Sequence, residues 1–308
     1  MSQLRIILMP FAIILGILFP GAHGLSVLSP YLIGIMMVLT FVSKVPPQQH
    51  GATFKIECRS FLMSLVLIGI LTFLAYFFNW SKEFLLAGVI LCLAPPANAA
   101  PAMCKILGGN PILALKIFVS GHLIACFSIP LIIGLYTGQG DHFFDISRRI
   151  FNSIQPIITI PLALALGLRS YYPELADKVA RFQKYTLLVW TFAVFIILSK
   201  ASYNIREMGV SKLWDSGELP RIALFSLVLC ILLFVLGWYA DRKHPVESSQ
   251  SMGQKNTVLV IWIAEMYIGP IAALGPTCYV VWQNMVLTWM SRKKKPVVNP
   301  GTPLSDAR

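Results

Sequence analysis

Charge is what this sequence has least of. Only 13 of its 308 residues are acidic, and charged residues of both signs make up 12% of the chain. A soluble domain carries about twice that share. With 56% hydrophobic residues and a mean hydropathy of +0.72, the chain holds more apolar surface than a soluble core of this length can bury. The six cysteines, Cys58, Cys92, Cys104, Cys126, Cys230 and Cys278, include no C-x-x-C pair and lie mostly in apolar runs. That excludes a disulfide framework and leaves free thiols acting as small apolar residues. There is no H-E-x-x-H motif, no pair of aspartates within an apolar run, and no Ser/His pair. An intramembrane enzyme is thereby disfavoured, and no cofactor motif is present. The formal charge of +12 does not point to nucleic acid, because the basic residues lie mostly between apolar segments, where they set membrane orientation.

What is there is a series of apolar runs of about 20 residues, the length that crosses a bilayer. About ten crossings are expected, near 4–21, 25–43, 61–79, 83–107, 110–137, 152–170, 182–202, 220–240, 246–267 and 270–291. Leu4 to Pro20, followed by Gly-Ala-His-Gly, has the look of a signal peptide, but it serves equally as a first span, and the count needs it. Five crossings per half is an odd number. Residues 1–140 and 141–295 therefore form two repeats inverted relative to each other, a plan shared by many secondary transporters. With both termini in the cytoplasm, the inner loops hold about fifteen basic residues, among them Lys44, Lys55, Arg59, Lys105, Arg169, Lys178, Arg242 and the Arg292–Lys295 run. The outer loops hold about seven, including Lys82, Arg148, Arg149 and Arg221. This places the chain in a plasma or inner membrane as a multi-pass protein. Asp145-Ile-Ser-Arg-Arg-Ile-Phe reads as an interfacial helix before the sixth span, and residues 296–308 as a disordered tail.

Two helix-breaking stretches interrupt the fourth and ninth runs at matching places: Ala94-Pro-Pro-Ala-Asn-Ala-Ala-Pro101 and Ser248-Ser-Gln-Ser-Met-Gly-Gln-Lys-Asn256. Irregular backbone at membrane depth survives only inside protein or along a cavity, and a matched pair of broken helices points to a carrier's binding site. Lys255 is the strongest single signal, since a cation at that depth costs a few kcal/mol and needs a partner. It is either a fixed or titratable cation in the working centre or a structural lysine holding carbonyls at the break. Lys116, one turn into the fifth span, either binds an anion or snorkels to the near interface. His122 reads as a hydrogen-bonded structural histidine, with proton relay as the alternative. Glu265 fits the outer interface better than a charge pair in the core. Asn98, Gln254 and Asn256 offer amides at the breaks, while Gln283 and Asn284 read as polar packing. Two half-helix N-termini plus two lysines form a basic pocket, which suits a small organic anion.

Gly253-Gln-Lys-Asn256-Thr-Val-Leu, then Ala272-Ala-Leu and Val281-Trp-Gln-Asn284, resemble the last two helices of the bile acid:sodium symporter family. Gly34-Ile-Met-Met, Gly88-Val-Ile-Leu, Pro95 with the small residues to Ala100, and Gly109-Asn110 resemble its second, fourth and fifth helices. The resemblance covers nearly the whole chain. It implies a core domain with two crossing discontinuous helices (spans 3–5 and 8–10), a panel domain (spans 1, 2, 6 and 7), and alternating access. It also carries a departure. The family's two-sodium ligands align with Ala100, Pro101, Ala114, Phe118, Ser251 and Lys255, most of which supply no oxygen, and Lys255 would repel the ion. The reading that follows is an all-α, sodium-independent or proton-linked carrier of a small organic anion, with no metal and with Lys255 in the sodium's place. An efflux carrier for another solute, such as arsenite or a weak acid, and a transport-incompetent sensor or scaffold are the alternatives.

Overall fold

The structure, a computed structural model, describes residues 2–42, 50–138 and 142–293. The expected tail at 296–308 and Lys44 lie outside them. The described residues contain helices and loops, with a single isolated β-bridge between Pro96 and Lys255. In chain order the helices are α1 (Ser2–Leu18), α2 (Ser29–Phe41), α3 (His50–Phe77), α4 (Lys82–Leu93), α5 (Ala100–Ile106), α6 (Pro111–Thr137), α7 (His142–Tyr171), α8 (Pro173–Arg181), α9 (Thr186–Met208), α10 (Val210–Asp215), α11 (Glu218–Ala240), α12 (Pro245–Gly253), α13 (Thr257–Tyr267) and α14 (Pro270–Lys293). Six helical stretches are long and apolar enough to cross a membrane: Pro20–Phe41, Phe54–Phe77, Pro111–Thr137, Phe143–Tyr171, Leu188–Met208 and Glu218–Ala240. Large apolar side chains such as Phe73, Tyr76, Leu131, Leu135 and Leu224 are exposed along them. Such a belt would be a liability in water and is the ordinary surface of a protein in lipid.

Local chemistry sets the helix ends. Ser81 Oγ accepts the Phe84 N–H at the start of α4. Asn110 Oδ1 accepts the N–H groups of Ile112 and Leu113, with Pro111 at the first turn of α6, a position that needs no N–H. Two boundaries differ from the sequence expectation. The third span was expected at 61–79, but α3 begins at His50, so Glu57 and Ser60 are inside the helix and buried. Its first turns carry enough polar residues to hide the helix from a hydropathy criterion. The stretch from Asp145 is not a separate interfacial helix. It forms the first turns of α7, which runs unbroken from His142 because neither Gly nor Pro lies between Asp145 and Gln155.

Close backbone approaches tie the two broken elements to the intact helices. Gly237 on α11 lies against α12, where Ser248 Oγ donates to Gly237 O (2.6 Å) and Ser249 Oγ to Phe234 O (2.9 Å). Gly275 on α14 lies against Ala87 on α4, so close that a Cβ there would stand 2.7 Å from the Ala87 Cβ. These contacts hold the loops after α4 and α12 against each other.

Candidate functional site at the crossing of the two breaks

Pro95 and Pro96 stop α4, because proline removes a helical N–H and clashes with the preceding turn. The chain then runs extended past the second break, between α12 and α13. Ala97 N–H donates to Gln254 O (2.7 Å) and Asn256 N–H to Pro95 O (2.8 Å). These bonds flank the antiparallel Pro96–Lys255 pair. The missing N–H of Pro96 is therefore not needed at that position. Each break satisfies backbone groups that the other would leave orphaned inside the membrane.

Lys255 is 4% exposed. Its backbone N–H donates to Gln283 Oε1 on α14 (3.1 Å), and its Nζ donates to Ala94 O (2.8 Å). Ala94 caps the C-terminus of α4, the negative end of the helix dipole, where a cation is favoured. Tyr279 OH donates to Gly253 O (2.7 Å), so α14 grips the second break at two points. Gln283 thus has a definite job at the crossing, while Asn284 bonds its own helix at Val280 O.

Asn256 caps α13 and joins three elements. Its Oδ1 accepts the Leu259 N–H (3.4 Å), and its Nδ2 faces Asn98 Oδ1 (3.3 Å) and His122 Nε2 (3.1 Å). His122 Nδ1 lies 2.8 Å from Phe118 O. A carbonyl only accepts, so Nδ1 carries the proton; the amide donates, so Nε2 accepts it. This network holds the imidazole neutral and fully buried. Gln254 is also fully buried, and neither its Oε1 nor its Nε2 has a partner.

A cavity of about 40 Å³ opens beside the crossing, lined by Glu57, Ser60 and Ser64 of α3, Cys92 of α4, Pro95 and Pro96 of the first break, Gly121 and Ser128 of α6, and Ser251 and Lys255. It holds a small ion or a few waters, not a metabolite. Gly121 leaves room for the carboxyl, since a Cβ there would lie 3.6 Å from Glu57 Oε2 and 2.7 Å from Pro96 Cδ. Lys255 acts on Glu57 electrostatically, but no ion pair closes between them within 4.0 Å, and Glu57 Oε1 and Ser60 Oγ have no partner.

Of the residues singled out in the sequence, Lys255, Asn98, Gln254, Asn256, Ser251 and His122 meet at or beside the crossing. Lys116 and Glu265 do not. Lys116 is half-buried on α6 and does not line the cavity. Glu265 accepts from Asn204 Nδ2 on α9 (3.1 Å), well along α13 from the break. The basic pocket read from two lysines therefore contains one lysine and, facing it, an acid that went unread. The signal for that acid was present: Glu57, Ser60 and Ser64 stand at i, i+3 and i+7, one face of a helix. Of the positions aligned with the symporters' ion ligands, Ser251 and Lys255 line the cavity, and the others are apolar. Ala100, Ala114 and Phe118 are buried, and the Phe118 ring lies against His122 (4.2 Å between centroids) and Phe41 (5.3 Å).

Comparison with known proteins finds transporters. A Bacillus subtilis protein named an uncharacterized sodium-dependent transporter, YocS, is 23% identical over 251 residues, which are 76% of this chain and 71% of that protein. An Arabidopsis thaliana protein named a probable chloroplastic sodium/metabolite cotransporter, BASS4, is 20% identical over 199 residues, 61% of this chain and 46% of that protein. This chain thus spans less than half the length of the plant relative. Both relatives are transporters and not enzymes. With residues 5–290 matching the family as a whole, the chain belongs to the SBF-like CPA transporter family and is an integral, multi-pass membrane transporter.

Proposed function

We propose that this transporter is a secondary carrier of a small organic anion, works by alternating access, and does so without sodium, with Lys255 taking the place of an ion at the crossing. One observation carries the reading: the Lys255 ammonium sits on Ala94 O at the negative end of α4, in a site whose aligned ligand positions are otherwise Ala100, Pro101, Ala114, Phe118 and Ser251, of which only Ser251 has a side-chain oxygen. The relatives named above bear sodium in their names, and Lys255 is what separates this chain from that chemistry. Lys255 and the positive N-terminal end of α13 support an anionic substrate, and Lys116 no longer contributes to that reasoning. Ten crossings in two inverted halves, 1–140 and 141–295, fit the element order. Each half has five crossing elements, and the fourth of each is broken, as α4/α5 and α12/α13. The excess of basic residues on one set of loops supports cytoplasmic termini.

The test is thermal stability of the purified protein in sodium against choline buffers. A ligand that binds the folded state at a hundred times its Kd adds about 2.7 kcal/mol. We expect no sodium-dependent shift for the wild type, and substrate-driven flux in sodium-free proteoliposomes. Stabilisation by sodium, or flux that requires it, refutes the proposal.

A further inference from the structure

Nothing in the reading above uses Glu57, yet the structure builds a compartment around it. Glu57 is 7% exposed and Ser60 8% exposed, and both present an unpartnered oxygen in the cavity. Lys255, the cation across the cavity, is already engaged with Ala94 O and closes no ion pair with the carboxyl. A buried carboxylate without such a partner is unstable as an anion, and the ordinary remedy is a proton. A protonated carboxyl carries an O–H donor; the hydroxyls of Ser60, Ser64 and Ser128 line the same space, and Ser120 on α6 hydrogen-bonds the carboxyl while Glu57 Oε1 stays without a partner. The cavity has room for the water that delivers that proton and is too small for an organic substrate.

We infer that Glu57 is the proton-binding site of this protein and Lys255 the fixed charge it works against. The step balances simply: hydronium gives a proton to a Glu57 carboxylate oxygen, one O–H bond forms, water leaves, and the reverse occurs on the other side of the membrane. With Glu57 ionised, the carboxylate and the ammonium cancel. With Glu57 protonated, the cavity keeps one uncompensated positive charge beside the crossing. An anion bound outside the cavity, next to the crossing, and a proton on Glu57 then favour each other, and linkage makes the effect reciprocal. That last consequence, proton–anion symport, rests on the carrier reading; the proton site does not.

The other charged or titratable groups around Glu57 have their own settings. Cys92 lines the cavity from α4. On α6, His122 is held neutral by its two hydrogen bonds, and Lys116 lies off the cavity. Past α11, Asp241 pairs with Arg59 and His244. On α12, Glu247 accepts the Asn110 N–H. On α3 itself, Lys55, Cys58 and Arg59 are exposed.

The experiment is infrared difference spectroscopy of the full-length protein in sodium-free choline buffer, stepping pH and following the C=O stretch of a protonated carboxyl. We expect a band from a buried carboxyl to rise as pH falls in the wild type and to be missing, as the wild-type-minus-variant difference, from Glu57→Gln. Ser60→Ala, which leaves the carboxyl in place, should move the band's frequency, so the inference stays testable if Glu57→Gln does not fold. An unchanged band in Glu57→Gln, no band in the wild type, or carboxylate bands at fixed pH that respond to added sodium would each overturn the inference. Uptake of radiolabelled succinate and lactate into proteoliposomes under an inward proton gradient separates the two readings. Loss of the band in Glu57→Gln with no wild-type uptake supports the proton site and counts against the carrier. Gradient-driven uptake that survives in Glu57→Gln supports the carrier and overturns the proton site.

Discussion

Substituting Gly237 by alanine tests whether the second break is held in place from behind. Gly237 is a point of close backbone approach between α11 and α12. A Cβ at this position would stand 2.7 Å from Ser248 O, 2.7 Å from Ser249 Cα and 3.0 Å from Met252 Cβ. Two of these neighbours are backbone, so no rotamer change relieves the contact, and α12 must retreat by about 0.7 Å to restore the 3.4 Å of ordinary contact. That retreat lengthens the bonds from Ser248 Oγ and Ser249 Oγ to α11. Overpacking costs about 1–3 kcal/mol, and two weakened hydrogen bonds add up to about 1 kcal/mol each. The helix propensity of alanine returns about 0.5–1 kcal/mol. The net expectation is a loss of about 2–3 kcal/mol. Gly69→Ala on α3 is the control: it makes the same chemical change in a helix with nothing within 4 Å, and should leave stability unchanged or raise it by up to about 1 kcal/mol. Thermal unfolding read by a thiol-reactive dye reports both, because Cys92, Cys104, Cys126 and Cys230 are buried until the fold opens. Equal unfolding of Gly237→Ala and Gly69→Ala would refute the claim that α12 is seated without slack.

Three further outcomes follow from single contacts. Glu247 is buried and accepts the Asn110 N–H ahead of α6; Glu247→Ala should cost about 1.5–3 kcal/mol in the same unfolding assay, and Glu247→Gln, which keeps an acceptor oxygen, clearly less. Tyr279→Phe removes the hydroxyl that holds Gly253 O and should cost about 1 kcal/mol; no loss would mean that α14 does not brace the second break through this bond. At the end of α11, burial works against the charge of Asp241, but the Lys243 N–H, His244 and Arg59 outweigh it and hold the carboxyl below its ordinary 3.8. A depressed acid stabilises the fold above its unfolded value and loses that contribution as pH falls through the folded one. Asp241→Asn should therefore be less stable than wild type at neutral pH, and the gap should close in unfolding scans taken below pH 3.8.

The breaks were legible because their chemistry is local. Pro95 and Pro96 cannot continue α4, whatever surrounds them, and the chain breaks there; the run from Ser248 to Asn256 marked the second break too broadly, since Ser248 to Gly253 stay helical in α12 and only Gln254, Lys255 and Asn256 leave the helix. Lys255 was legible for a similar reason: a cation among apolar residues needs an explanation wherever it ends up. Glu57 was not, because a span was sought as uninterrupted hydropathy. The polar first turns of α3, with Lys55, Glu57, Arg59 and Ser60 close together, look like a loop until the helix that carries them is seen to bury alternate faces. Lys116 stayed open between anion binding and snorkelling, because the direction a side chain takes around α6 depends on packing that pattern alone does not supply. Gln283 lay in between. Its place in the Trp282-Gln283-Asn284 motif was visible, but its bond to the Lys255 N–H depends on how α14 crosses α12 and α13.

Replacing a bound ion by a side chain changes what the crossing can do. A sodium ion leaves its site in one phase of a transport cycle, and the field at the breaks changes when it goes. The Lys255 side chain is covalently tied and sits on Ala94 O, so on the proposed reading it stays at the negative end of α4 where an ion would leave. It can brace the crossing, but on its own it cannot report which side of the membrane is open. A transporter built this way needs a second group in the same field whose charge does change. The position of Glu57 meets that need, in a cavity it shares with Lys255. Two unit charges 4–6 Å apart interact by about 3–4 kcal/mol at an effective dielectric constant of about 20. On the proposed coupling, an anion held at that separation from Glu57 is expected to change affinity by about 100- to 1,000-fold on gain or loss of one proton. A swing of that size is what coupling requires of an ion, and it needs no sodium.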